Sequence, residues 1–414
     1  MTAKQPDGRK TILRSARLLD VDAGRLVSPA RVLVEGDRIK AVDVADPPGD
    51  AEIVDLGDLT LLPGLMDMEV NLLLGGAGSR LAAVQMDPAL RTLAGVANAR
   101  TTLLAGFTTV RNLGLFIPTG GILLDVALMK AIDAGWIDGP RVVPAGHAIT
   151  PTGGHLDPTM FQGLAPGIMP LSVEEGICDG VEQIRRGVRY QIKYGAQVIK
   201  VCASGGVMSL SGPPGAQHFS DEELRAIVDE AHRRGMKVAA HAHGDQGIRA
   251  AVEAGIDCIE HGSLMSEKTM RLMIERGTFL VATSYLAEGL DVSKAHPTLQ
   301  AKAREVFPQA KANLRRAIKA GMRIACGTDA PAIPHGENAK ELWALVDRGM
   351  APIDALRAAT IVSADLIGVD DRGRIQPGLL ADLIAVPGNP LEDIEVIQDV
   401  RFVMKGGKIY KWPT

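Results

Sequence analysis

The chain has 414 residues, a formal net charge of -4, 46% hydrophobic and 23% charged residues, values ordinary for a globular protein with a large core. Near-balanced charge gives no reason to expect nucleic acid or an anionic membrane as partner, and without a run of about 18 apolar residues nothing is expected to span a bilayer. Cys178, Cys202, Cys258 and Cys326 are widely spaced with no CxxC pair, which speaks against a disulfide framework or thiolate zinc site and for reduced, buried thiols in a cytoplasmic protein.

At the start, residues 1–8 hold charges and turn formers but no apolar stretch, so a signal peptide is not expected. Residues 11–60 read as short strands, with a hairpin over 30–42 turning at Gly36-Asp37. A strand-like segment follows over 61–74; in it Glu69 and Asn71, two apart, share one face. The run from Gly106 to Val110 reaches Arg111-Asn112, and a glycine-rich loop carries His155. Residues 197–201 form a strand containing Lys200. Ser220 with Glu223 writes a capping box for a helix over 221–232. Further strands are read at 237–240, leading to His241-Ala242-His243, at 256–259, leading to His261, at 278–282, and at 323–326, leading to Gly327-Thr328-Asp329. The C-terminal stretches 381–386 and 400–410 are strand-like again, with Gly406-Gly407 as a turn.

Strand–helix alternation over 63–372 argues for a parallel sheet, and the number of units favours a closed (β/α)8 TIM barrel in an α/β fold. No GxGxxG follows the first strand, which counts against a dinucleotide-binding fold. The two chain ends, 1–62 and 373–414, are expected to pair into a small composite β-sandwich beside the 63–372 barrel.

Chemistry in such a barrel sits at the C-terminal ends of its strands. Taken singly, each polar strand end has a plain explanation: a structural histidine, a lysine whose stem lies on apolar surface, an aspartate capping a helix. Lys200, His241, His261 and Asp329 in successive strand-end positions are harder to explain that way, and imidazole with carboxylate suits zinc or a similar divalent ion. His232 beside Arg233 and Arg234 reads as solvated, while His147 and His296 carry little signal. His335 lies close enough after Asp329 to line the mouth of a site.

Several stretches together resemble the imidazolonepropionase-like branch of the amidohydrolase superfamily, in particular its Xaa-Pro dipeptidase and basic-residue carboxypeptidase group. They are Leu62-Pro63-Gly64-Leu65-Met66-Asp67, Gly106-Phe107-Thr108-Thr109-Val110-Arg111, Thr152-Gly153-Gly154-His155, Ile199-Lys200-Val201, Ala240-His241-Ala242-His243-Gly244, Ile259-Glu260-His261, Gly327-Thr328-Asp329-Ala330 and Pro377-Gly378-Leu379-Leu380-Ala381-Asp382. The resemblance covers nearly the whole chain. It implies a barrel with a β-sandwich built from both termini. It also implies a carbamylated Lys200 bridging metals, His241 and His261 on the second metal, Asp329 on the first and as proton acceptor, and His155 polarising a carbonyl.

The family pattern has His-x-His in the first barrel strand, where this chain has Glu69 and Asn71, and Asn112 where relatives have aspartate. Glu69 can offer oxygen to a metal, while Asn71 offers only an amide oxygen; the sequence leaves open whether the two are natural or engineered. The expectation is one zinc-like ion per chain held by Lys200, His241, His261 and Asp329, with Asp329, His155 and Lys200 catalytic, in a hydrolase of small amides, peptide-like compounds or carbamates. Glu69, Asn71, Arg111, His243, Tyr285 and His335 are the candidates for contacting substrate, with Tyr194 and His218 as further specificity residues. Two alternatives stay open: metal-independent proton transfer of isomerase or lyase type with Glu69 or Asp329 as base, and a catalytically silent small-molecule binder. Without a metal, Lys200 is expected to remain an ammonium and pair with Glu69. Homo-oligomerisation is implied by the resemblance alone.

Overall fold

Gly36 takes φ +62, a conformation that side chains disfavour, and so lets Ala30–Glu35 fold back on Arg38–Val42 with Glu35 opposite Arg38. The hairpin expected from the sequence is therefore formed. The computed structural model describes residues 8–45, 48–75, 86–158, 171–210 and 212–413; residues 1–7, read above for a leader, lie outside them. The hairpin belongs to a four-stranded sheet in the order Arg38–Val42, Ala30–Glu35, Lys10–Ser15, Glu52–Asp55.

A six-stranded sheet interleaves the two ends of the chain: Lys408–Lys411, Phe402–Lys405, Leu383–Pro387, Leu59–Pro63, Arg17–Asp20 and Arg25–Val27. Leu383–Pro387 runs antiparallel to Leu59–Pro63. Leu13, Val32, Val34 and Ile39 of the first sheet share one buried cluster with Leu61, Leu383, Phe402 and Met404 of the second. Arg141, on a strand of the parallel body described next, grips the Asp382 carboxylate with two hydrogen bonds of 3.0 and 3.1 Å.

The segment read as one strand over 61–74 is two. Leu59–Pro63 lies in the six-stranded sheet and Leu65–Val70 in a parallel one, with the change of sheet at Gly64. A Cβ at Gly64 would stand 2.2 Å from Thr108 Oγ1, so only glycine lets the chain pass there. Beyond Val70 the chain turns, leaving Asn71 off the strand.

Among the described residues, eight strands make up two sheets whose pairs are all parallel. Arg141–Pro144, Phe107–Asn112 and Leu65–Val70 form one sheet. Val198–Cys202, Lys237–Gly244, Cys258–Leu264, Phe279–Val281 and Ile324–Ala325 form another. Isolated parallel bridges, Val70 to Ala330 and Ile149 to Val201, join the edges of the two. One buried cluster takes Met66, Met68, Leu113, Ala145, Val198, Ala239, Cys258, Phe279, Val281 and Ala325, at or just past each of the eight strands. Helices including Pro88–Leu104, Gly180–Tyr194, Asp221–His232, Asp245–Ala254 and Pro297–Lys319 alternate with the strands. Among the described residues, no helix is long and apolar enough to cross a membrane.

The capping box read at Ser220 is made: Ser220 Oγ accepts from Glu223 N at 3.3 Å and Glu223 Oε2 accepts from Ser220 N at 2.8 Å. Ser220→Ala is expected to lower stability by about 1 kcal/mol in urea unfolding, the usual worth of such a cap.

Candidate active site

The parallel strands deliver their polar residues to one place. Lys200 Nζ donates to Glu69 Oε1 at 3.1 Å, and His261 Nε2 stands 3.7 Å from the same oxygen. His243 stacks on His261 with centroids 4.7 Å apart. His241 meets His261 edge-on at 4.7 Å and His155 face-on at 4.1 Å. Glu69, Lys200 and all four imidazoles are buried. Asp329 follows the last parallel strand, and its N–H donates to Glu69 O at 2.7 Å, tying it to the first.

Positions, orientations and strain are fixed by neighbours. His243 Nδ1 pairs with Ser263 Oγ at 2.9 Å, His261 Nδ1 with Thr283 Oγ1 at 2.8 Å, and His241 Nε2 with Gly205 O at 3.3 Å. Each ring thus has one nitrogen oriented by the protein, leaving its other nitrogen for a ligand, the usual arrangement around a metal-binding histidine. His261, Thr283 and Asp329 have φ of +69, +48 and +57. Such left-handed positions cost about 1–3 kcal/mol each in non-glycine residues and gather at functional sites. Asp67 binds the site together from below. Its Oδ1 accepts from Glu69 N at 3.1 Å and Thr328 N at 3.0 Å; its Oδ2 accepts from Thr328 Oγ1 at 2.6 Å and Asn338 Nδ2 at 2.8 Å.

Burial governs protonation. It holds His155, His241 and His261 well below the ordinary imidazole value and lowers His243 to about 3, so all four rings are neutral at pH 7 with lone pairs available. Burial also lifts the Asp329 carboxyl to about 7, against the pull of Lys200. For Lys200, burial works against the ammonium, but Glu69 and Glu260 outweigh it and keep the proton on. Burial likewise pushes the Glu69 carboxyl well above its ordinary value, opposed by Lys200 3.1 Å away, so the two titrate as one pair.

The residues fit a divalent cation. One nitrogen from each of His241, His243 and His261 lies within 4.8 Å of the others. Glu69 Oε2 and His155 Nδ1 are buried without a hydrogen-bond partner. Three neutral imidazoles with a carboxylate oxygen alongside form a donor set suited to such ions.

Other residues read from the sequence fall in different settings. Arg111 is buried among the parallel strands, donating to Met68 O at 2.7 Å, Cys258 Sγ at 3.1 Å and Glu260 Oε1 at 2.8 Å. Asn71 Nδ2 donates to Gly114 O at 2.7 Å, and Asn112 Oδ1 accepts from Leu72 N at 2.8 Å. His335 Nδ1 faces Thr102 Oγ1 at 3.3 Å. His218 Nδ1 accepts from His155 N at 3.3 Å, which places it behind the loop histidine. Tyr285 sits on the loop after Phe279–Val281, edge-on to Trp343, and Tyr194 is exposed at the end of Gly180–Tyr194. His232, expected to be solvated, pairs with Asp257 Oδ2 at 2.9 Å because the neighbouring strand brings that carboxylate to the helix surface. His147 pairs with Thr119, and His296 caps Pro297–Lys319. The sequence reading missed Asp67, Ser263 and Thr283. Asp67, two residues before Glu69 on the same face, was the one with a local signal.

Glu341 anchors the loop that carries Tyr285, accepting from Ser284 N at 2.9 Å and Tyr285 N at 2.8 Å. Burial raises its carboxyl to about 8 from an ordinary 4.5. The folded value lies above the unfolded one, so the folded state binds this proton more tightly. The resulting stability is complete below about 4.5 and is lost as pH rises through about 8. Glu341→Gln is expected to flatten the fall in stability between pH 5 and pH 8.5, followed by denaturant unfolding at each pH.

A family model described as the amidohydrolase family matches residues 60–410. Ochratoxinase of Aspergillus niger is 40% identical over 331 residues, which is 74% of this chain and 66% of that protein, so the match spans just under two thirds of this relative. A crystal structure of a Xaa-Pro dipeptidase with methionine bound in its active site superposes with a TM-score of 0.90 at 36% identity, over 97% of this chain and 100% of the other. A prolidase complexed with N-methylphosphonate-L-proline gives 0.88 at 34%, with 97% and 100% covered. With a match of this extent, and strand ends converging on one buried cluster, this chain belongs to the amidohydrolase family.

Proposed function

We propose that this protein hydrolyses an amide or peptide-like C–N bond of a small molecule, using a single divalent cation, zinc in the first instance, held by His241, His243 and His261. The observation that carries this is the buried imidazole cluster, in which every ring has one nitrogen oriented by Ser263, Thr283 or Gly205. His243 replaces Lys200 in the ligand set that the family resemblance implies, because Lys200 is paired with Glu69. The sequence expectation tied that pairing to a site without metal; in this reading the ion sits on the three imidazoles and leaves the Lys200–Glu69 pair intact. The relatives named as dipeptidase and prolidase support a substrate built from amino acids, and the ochratoxinase supports a wider range of amides.

A bound ion would polarise the scissile carbonyl and lower the pKa of a water. Asp329, whose carboxyl titrates at about 7, takes a proton from the attacking water and returns it to the departing amine. The water oxygen bonds to the carbonyl carbon as the C–N bond breaks, giving an acid and an amine. His155, with Nδ1 unpartnered, donates a hydrogen bond to the developing oxyanion. Lys200 and Glu69 hold the mouth electrically balanced. Arg111 is assigned to the interior below the site, not to substrate.

In this reading the eight parallel strands close into a (β/α)8 barrel over 63–372. The two bridges between sheet edges and the interior cluster drawn from every strand support that closure. Segments 1–62 and 373–414 then make up the composite β domain. The test is metal content by elemental analysis together with hydrolysis of a dipeptide and N-acyl amino acid panel, before and after chelation. About one divalent ion per chain and chelator-sensitive turnover are expected. Full turnover in metal-free protein would sink the mechanism.

A further inference from the structure

We propose that the cavity beside His243 and His261 is a side-chain subsite that receives a short branched aliphatic group next to the scissile bond. The inference rests on the hydrolase reading above and gives it a substrate class. The two imidazoles line the cavity together with Met265, Leu280, Leu286, Phe307 and Leu314. Polar groups of the candidate site thus share one cavity with side chains that can bury hydrocarbon, the common make-up of a ligand pocket.

The walls are built, not incidental. Asn313 Nδ2 donates to Ser263 O at 2.7 Å, joining Pro297–Lys319 to the strand Cys258–Leu264. The same Ser263 orients His243 through its hydroxyl. Glu288, in the short helix Leu286–Gly289 that contributes to the opposite wall, is held by Lys311 and by Arg348 Nη2 at 2.6 and 2.7 Å. Glu341 fixes the residues just before that helix through Ser284 N and Tyr285 N. The hydroxyls of Ser263 and Thr283, which also line the cavity, are engaged by His243 and His261. Lys311, also on the lining, has its ammonium paired with Glu288, so apart from Ser284 the remaining side chains along the walls are apolar.

Size sets the occupant. The cavity measures about 30 Å³. On the scale where one water takes about 10–15 Å³, that is room for a few heavy atoms. An isobutyl group fits this space and an indole does not.

The probes are glycylglycine, leucylglycine, glycylleucine and glycyltryptophan, with binding read by calorimetry and turnover read separately. Wild-type protein is expected to bind one of the leucine dipeptides at least about tenfold more tightly than glycylglycine, since each buried methylene contributes about 0.8 kcal/mol, and to bind glycyltryptophan no better than glycylglycine. Ala310→Phe fills the cavity from the helix and should erase the leucine preference. Ala287→Leu, on the partly exposed opposite wall, should do the same without depending on the helix. No leucine preference in wild type, or a preference that survives in the folded variants, overturns the subsite. Preference without turnover upholds the subsite and retires the hydrolase reading, whereas turnover without preference retires only the subsite.

Discussion

His261→Ala is expected to lose bound metal and to drop turnover by more than about 100-fold, while its metal-free form unfolds at nearly the denaturant midpoint of metal-free wild type. Altering a residue that merely orients a ligand costs about 10–100-fold in affinity or activity, and removing a ligand should exceed that. The stability forecast comes from the backbone. His261 has φ +69, where alanine is no more comfortable than histidine. His261→Gly relieves that strain and is expected to be more stable than His261→Ala by about 1 kcal/mol, with activity equally lost. A glycine variant that retains activity would remove His261 from the chemistry. An alanine variant that simply unfolds would show that its role is structural.

Asp67→Ala is expected to cost about 3–5 kcal/mol and to reduce turnover in whatever protein still folds. The Asp67 carboxylate accepts from Glu69 N, Thr328 N, Thr328 Oγ1 and Asn338 Nδ2, all buried. Each buried donor left without a partner costs about 1–3 kcal/mol, with some relief from rearrangement. Asp67→Asn should be milder, about 2 kcal/mol, because one oxygen can still serve the two backbone donors. Its new amide, however, meets the Asn338 amide donor to donor. Urea unfolding of both variants orders the two costs, and an Asp67→Ala midpoint equal to wild type would show that the network contributes nothing. Asp67 sits between Glu69 and the turn that presents Asp329, so turnover should fall further than the folded fraction does.

Much of the site could be read from strand-end chemistry. Lys200, His241, His261 and Glu69 were each picked from an apolar run interrupted by a polar residue, and the fold brings them together. Such runs are legible because strand side chains alternate and an apolar run needs a reason to break. His243 was read as a substrate contact, although it shares a face with His241 at i+2; only its stacking on His261 makes it a candidate ligand. Arg111 looked like a pocket residue because it ends a strand. Its partners, Cys258 and Glu260, are about 150 positions away in the chain, and no local pattern announces them.

From the amino-acid order alone came the βα alternation, the terminal hairpins, the helix cap at Ser220 and the family. All of these rest on short-range periodicity, turn chemistry or contiguous motifs. Tertiary structure alone decided that 61–74 splits between two sheets at Gly64, that Asp67 ties the first strand to the Asp329 turn, and that Arg111 pairs with Glu260. Those outcomes depend on contacts between segments distant in the chain, where packing and burial choose among partners that the local sequence does not rank.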